Sequence, residues 1–445
     1  MTSILLKTPP LNAPSIKTLP NGLTIVAEQM PVEAVNLNVW INVGSVMESD
    51  DINGMAHFLE HMVFKGTPRL QSGEFERLIE ERGAVTNAAT SQDYTHYYIT
   101  TAPKDFAELA PLQLDVVLNP SVVDEAFERE RLVILEEIRR SEDSPQRRTF
   151  RRAIETTFEQ LPYRRQVLGP ASVIEQLKAQ QMRDFHAKWY QPNRITAVAV
   201  GNLPVDELIE IVTDGFAQAQ PTILDNSKSN PPHSQAGTQG VTEGQNPQLF
   251  EPEPPFQEIV RREYVDETLQ QARLVMVWRV PGMTQLDQTY ALDVLAVILG
   301  QGKMSRLVRE LREERQLVTH IGVSNMTQRF QGVFYISAQL PMENLAVVEE
   351  AIAQHIRKIQ TELIAEADIT RIRTQVANRF IFGNEKPSDR TSLYGYYQSQ
   401  VGDLTPALHY SQRIQSLNAA DLQLAAQKYL SPDAYGIVTI KPAKI

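Results

Sequence analysis

The chain has 445 residues, 42% of them hydrophobic and 22% charged, with a formal net charge of −11 and no cysteine. That length exceeds one ordinary hydrophobic core and calls for two or more domains of a globular type. The missing thiols exclude disulfides and thiolate-bound metal, while the acidic balance argues against nucleic-acid binding and is compatible with basic peptides.

The N-terminal stretch MTSILLKTPPLNAPSIKTLPNG holds only a short apolar run before Pro9 and Pro10. That is too little for a secretory signal or a membrane span, so a cytoplasmic location is the default expectation. Next comes GMAHFLEHMVFKGT, in which Met55, Ala56, Phe58, Leu59, Met62, Val63 and Phe64 surround His57, Glu60 and His61. A helix apolar on nearly every side is a buried helix. Burying two imidazoles and a carboxylate there without partners costs on the order of several kcal/mol. His57 and His61 stand four apart, so both rings leave one helix face and can converge on one ion. Glu60 lies beside that ion, placed to take a proton from water. The pattern is H-x-x-E-H, the inverse of the commoner H-E-x-x-H zinc-protease motif. A pair of helix histidines satisfied by carboxylates or backbone is the plainer reading.

The stretch GAVTNAATSQDYTHYYITT has the Thr, Tyr and Val enrichment of a strand, alternating through Tyr94, His96 and Tyr98. Downstream, PSVVDEAFERERLVILEEIRRSEDSP predicts a helix, with Ser121 and Asp124 resembling a capping box and Ser144-Pro145 closing its far end. Ala126, Glu130, Val133 and Glu137 form one stripe, flanked by Phe127, Ile134 and Ile138 as core. Two carboxylates beside an apolar face need a cation or a hydrogen-bond partner, and a catalytic zinc site needs a third protein ligand. Glu136 points about 100° away and is expected in solvent.

Residues 221–257, rich in Pro, Gly, Ser, Asn and Gln, read as a linker between domains at 1–220 and 258–445. His233 within it is expected to be solvated. The flanking halves echo one another: AKWYQPNRITAVAVGNLP at 187–204 matches QKYLSPDAYGIVTIKPAK at 427–444. Both read as helix end, Pro turn and strand, which argues for duplicated domains. Where the first half has HFLEH the second reads DVLAVILGQGKMSRL, without histidine, and TQVANRF stands near the counterpart of Glu137. The second half is therefore expected to lack the metal and to hold substrate, close a chamber or bind a partner.

Taken together, these blocks resemble the pitrilysin or insulinase family of zinc peptidases (peptidase family M16), in its processing-peptidase-like branch. That family carries a glutamate about 76 residues beyond the second histidine, and Glu137 lies 76 after His61; Glu130 fills a second position seven residues earlier. GSVMES…GMAHFLEHMVFKGT and GAVTNAATSQDYTHYY also resemble it. The resemblance implies an α+β fold of two homologous domains, each a mostly antiparallel sheet with packed helices, forming one half of a clamshell chamber. It implies zinc, one ion per chain, on His57, His61 and Glu137, with Glu60 as general base and Glu130 orienting a ligand. A salt bridge from Glu130 to a neighbouring arginine is the alternative. It implies substrate pairing along a strand edge at Asn87 and Ala88.

Complete family members also carry an arginine and, seven residues later, a tyrosine that stabilise the oxyanion. Arg312 matches the arginine, but Thr319 holds the tyrosine position, followed by His320. The departure suggests the zinc-bearing subunit of a heterodimer whose related partner supplies the pair, or a homodimer in which Thr319 or His320 substitutes. The loop Gly300 to Leu307 matches a glycine-rich loop of partner subunits, or is a plain turn between helices. The leading expectation is a zinc endopeptidase acting on peptides or presequence-like unfolded segments, with no nucleic acid and no membrane span. The alternatives are a non-catalytic structural subunit of a larger complex, like the respiratory core proteins of this fold, and a binding module with structural zinc.

Overall fold

The computed structural model describes residues 13–219 and 250–443. Most of the expected linker, with His233, lies outside the described residues. The first half forms a six-stranded sheet, β1 (Ser15–Thr18), β2 (Thr24–Gln29), β3 (Val35–Ile41), β4 (Val85–Thr90), β5 (Thr95–Thr101) and β6 (Ile195–Gly201), in the order β1-β2-β6-β3-β5-β4. Its helices are α1 (Met55–Val63), α2 (Glu74–Glu81), α3 (Pro103–Leu118), α4 (Asp124–Asp143), α5 (Pro145–Thr157), α6 (Ala171–Ile174), α7 (Ala179–Trp189) and α8 (Val205–Ala219).

The second half repeats the plan with β7 (Val260–Asp266), β8 (Ala272–Pro281), β9 (His320–Met326), β10 (Gln331–Leu340) and β11 (Gly436–Pro442), ordered β7-β11-β8-β10-β9. Its helices are α9 (Tyr290–Gly300), α10 (Leu345–Thr361), α11 (Glu366–Phe382), α12 (Pro387–Val401), α13 (Thr405–Ser416) and α14 (Ala419–Tyr429). Each sheet is antiparallel except for one parallel pair, β2 with β6 and β7 with β11. The internal echo thus resolves as α7 and β6 against α14 and β11, and the fold is the expected two-domain α+β arrangement. Among the described residues no helix is long and apolar enough to cross a membrane.

Strand periodicity explains the layering. In β3, Val35, Leu37, Val39 and Ile41 join the core under α1, α3, α4, α7 and α8, while Asn36, Asn38 and Trp40 take the opposite face. In β8, Leu274, Met276 and Trp278 do the same toward the helices of the second half, and Arg273, Val275, Val277 and Arg279 turn away. The two outward faces are covered reciprocally. Helix α12, from the second half, packs on the first sheet, with Tyr394 against Val26, Trp40, Val198 and Val200. Helix α5, from the first half, packs on the second sheet, with Ala153 and Ile154 against Val275, Val277 and Val333.

Polar groups fix the register of α12. Buried Glu28 accepts hydrogen bonds from Arg390 and from the Tyr394 hydroxyl (2.8 Å), and Thr391 Oγ1 donates to Asn36 Oδ1 at 2.5 Å. Gly395 permits the close approach, because a Cβ there would stand 2.0 Å from Trp40 Nε1. Gly395→Val should therefore lower stability by about 1–3 kcal/mol through overpacking. Denaturant titration would show this as a reduced midpoint; an unchanged midpoint would contradict the exchanged-helix packing.

Candidate metal centre

Helix α1 starts from a built turn. Gly54 sits in the left-handed region at φ 100°, where a Cβ would meet Leu168 O at 2.6 Å. The buried Glu48 carboxylate accepts the backbone N–H groups of Gly54 (2.8 Å) and Ala56 (2.7 Å) and the Asn53 amide (2.8 Å), which satisfies donors that a helix start leaves open. Burial raises the Glu48 pKa, and these hydrogen bonds oppose the rise. Nothing in the local pattern marks Glu48 as this cap, because it lies six residues before the N-cap Gly54.

Helix α4 spans the expected residues, but its start differs. Val123 is the N-cap and makes no side-chain cap bond, so Ser121 and Asp124 form no capping box. Phe127, Ile134 and Ile138 are core as expected, whereas Val133 is 49% exposed. The stripe therefore turns more toward solvent than its spacing suggests. Phe127 stacks on Phe58 with ring centroids 4.5 Å apart, locking α4 against α1. Glu136 pairs with Arg139 and Arg140 on the exposed side.

The locked helices bring His57, His61 and Glu137 together, each offering a ligand atom within 4.8 Å of the others. Glu137 Oε2 stands 3.6 Å from His57 Nε2 and 3.6 Å from His61 Nε2. Tetrahedral ligands about 2.1 Å from zinc stand roughly 3.4 Å apart, so the donor set and its spacing fit that ion. His61 Nδ1 lies 3.0 Å from Glu130 Oε1, and Lys65 Nζ lies 2.8 Å from Glu130 Oε2. With its proton on Nδ1, where Glu130 accepts it, His61 keeps the Nε2 lone pair free. The Glu130 partners are thus a histidine and a lysine rather than an arginine. Burial would raise the Glu130 pKa, but the bonds from Lys65 and His61 outweigh it and hold the carboxyl below its ordinary range.

Burial first, and the neighbouring His61 second, push His57 down to about 3, which keeps the imidazole neutral and able to ligate. Its Nδ1 is buried without a partner among the described residues. Glu60 accepts from Thr90 Oγ1 at 2.5 Å. Burial raises its pKa, partly offset by Thr90 and His61. Sequence reasoning missed Thr90, although it closes the same strand as Asn87 and Ala88.

These groups sit at one end of a cavity of about 1060 Å³ between the two halves. Strand β4 is the sheet edge, and Ala88, Ala89 and Thr90 line the cavity, whereas Asn87 is exposed and uses its side-chain oxygen on the Ala88 N–H. From the second half come Arg273, Tyr335, Ser337, Gln339 and His320. Arg312 does not line it; its guanidinium pairs with Glu313 at 2.6 Å on the surface. Thr319 does not line it either, and its hydroxyl donates to Gln271 at 2.8 Å. Residues Gly300 to Leu307 form a turn between α9 and a helical turn at Val308–Glu314.

In chain order α9 and α11 are the counterparts of α1 and α4. There Asp293, Ala296, Val297 and Arg379 line a smaller cavity of about 420 Å³. Among the described residues His57, His61 and Glu137 form the one cluster suited to a metal.

Residues 24–171 match the family described as Insulinase (Peptidase family M16), and residues 176–376 match Peptidase M16 inactive domain. The chain belongs to peptidase family M16. It is 28% identical over 431 residues to a Mycobacterium bovis protein named uncharacterized zinc protease, covering 97% of this chain and 93% of that one. It is 26% identical over 445 residues to an Arabidopsis thaliana protein named probable mitochondrial-processing peptidase subunit beta, covering 97% and 79%. A solved protease structure from Helicobacter pylori superposes with a TM-score of 0.86 at 26% identity, covering 97% of this chain and all of that one.

Asp293 yields a pH-dependence specific to the second half. Burial pushes its pKa up to about 6 against hydrogen bonds from Asn325 and Tyr410. A carboxyl raised above its unfolded value, about 3.9, stabilises the fold fully below that value and loses the contribution as pH rises through 6. Asp293→Asn should remove that loss and gain about 2–3 kcal/mol on wild type between pH 4 and pH 8. Chemical denaturation at both pH values checks it; an equal offset at the two would contradict it.

Proposed function

We propose that this chain is a zinc endopeptidase cleaving peptides or unfolded, presequence-like segments. The observation that supports it best is the convergence of His57, His61 and Glu137 beside Glu60 at the end of a cavity with a free strand edge. Zinc, when bound, supplies Lewis acidity, polarising a peptide carbonyl and making water a nucleophile near neutral pH. His57, His61 and Glu137 are its proposed ligands, and Glu130 holds the His61 ring in the ligating tautomer. Glu60 accepts the proton of the attacking water and returns it to the leaving amine, with Thr90 fixing the carboxylate. The β4 edge at Asn87 and Ala88 pairs with an extended substrate backbone, which favours unfolded peptide over particular sequences.

Within the reading, domains at 1–220 and 258–445, joined by 221–257, make one half of a clamshell chamber. Arg312 is on the surface and Thr319 is engaged with Gln271, so we assign the oxyanion role to an arginine and tyrosine of a related partner subunit. A homodimer using His320, which does line the cavity, is the competing arrangement.

Metal analysis of the purified chain should give one zinc, removed by chelator. Glu60→Gln should keep the zinc and lose about 10²–10⁴-fold in peptide cleavage, measured with and without a related Arg/Tyr-bearing subunit. Cleavage undiminished in Glu60→Gln, or absent with zinc bound under every pairing, would overturn the reading. A Glu130→Ala change should weaken zinc binding by about 10–100-fold in competition with a chromophoric chelator. Unchanged affinity would remove Glu130 from its positioning role.

A further inference from the structure

Away from the metal cluster, the cavity lining carries the opposite sign from the protein as a whole. Five arginines line the cavity, Arg147 and Arg151 on α5, Arg164 and Arg165 just beyond it, and Arg273 on β8. Among the described residues its only lining carboxylates are Glu60 and Glu137, both committed to the metal cluster.

Three of these arginines are already occupied. Arg151 lies 3.6 Å from Glu142 and 3.9 Å from Glu155, while Arg164 and Arg165 share Asp50 at 3.6 and 2.7 Å. Arg147 and Arg273 have no carboxylate within ion-pair distance among the described residues.

Arg273 is the more telling of the two. Its neighbour on the same face of β8, Arg279, is matched by Glu253 at 2.9 Å and by the Thr157 and Pro254 carbonyls. Arg273 is also partly buried, and its Nε is shielded from solvent with no hydrogen-bond partner. Burial depresses its pKa, against the pull of Asp266, which is itself paired with Arg148. A partly buried guanidinium without an acceptor is costly to hold unless a ligand completes it.

We propose that Arg273 and Arg147 form an anion subsite in this cavity that selects substrates carrying a carboxylate. The carboxylate belongs to an Asp or Glu side chain or to a free peptide C-terminus. This inference rests on the peptidase reading and favours its peptide substrates over presequence-like ones, which are poor in acidic residues. A planar guanidinium pairs with carboxylate through two parallel hydrogen bonds, so charge and geometry both contribute to selection.

The test uses the full zinc-loaded chain, with its partner subunit if one is needed, and peptides differing at one position as Glu, Gln or Lys. Each is supplied with a free or an amidated C-terminus. Glu should be favoured over Gln by about 10–100-fold in kcat/KM, with Lys lower still. Loss of the preference on amidation alone would locate the carboxylate at the C-terminus. The double variant Arg147→Gln/Arg273→Gln should bring the Glu-to-Gln ratio to within about twofold, and Arg273→Lys should restore part of it.

Fluorescence anisotropy of the same peptides on the Glu60→Gln chain reads the subsite without turnover. Cleavage or binding indifferent to charge, or a preference that survives the double variant, would overturn the proposal. Arginine-dependent binding of the Glu peptide with no cleavage under any pairing would instead sink the peptidase reading and leave the subsite standing.

Discussion

The contact between α1 and α4 is what the metal cluster depends on. Phe58 stacked on Phe127 sets the distance between two helices that each carry polar groups on an otherwise apolar face. From that one packing decision follow the meeting of Glu137 with both imidazoles and the bond from His61 to Glu130. The Glu48 cap and the left-handed Gly54 hold the start of α1, so the histidine rings have little freedom to drift. A ligand set is useful only if its rotamers are fixed by packing and by a surrounding layer of hydrogen bonds, and both are present around His61.

The two halves use one architecture for different ends. In the first, α1 and α4 frame a cluster of nitrogen and oxygen donors. In the second, α9 and α11 frame Asp293 and Arg379 over an apolar helix, and the pocket is smaller. The halves are tied together by exchanged helices, α12 on the first sheet and α5 on the second. Because α5 lies on the second sheet and also lines the cavity, the exchange sets the position of the cavity wall relative to the metal cluster. A substrate lying along β4 would be held between a fixed edge and that wall.

Much of this was legible in the residues. The apolar surround of His57 and His61 demanded partners, and the spacing of Glu130 and Glu137 on a predicted helix supplied them. The Pro-turn-strand echo announced the duplication. What the sequence did not reveal is non-local. The cap from Glu48, the Thr90 bond to Glu60 and the Lys65 bond to Glu130 require knowing which segments meet in space. Nothing local in the α5 and α12 segments says whose sheet they cover. Ser121 and Asp124 had the spacing of a capping box, yet Val123 begins the helix, and Arg312 matched by position while turning to Glu313. Net charge averages over a whole surface and says nothing about one cavity wall, such as the arginine-lined one.

The most direct measurement is anomalous diffraction at the zinc edge from crystals grown with the metal. A single strong peak is expected about 2.0–2.2 Å from the Nε2 atoms of His57 and His61 and from a Glu137 carboxylate oxygen. A zinc peak elsewhere, or no peak among these three side chains at full zinc supply, would contradict it.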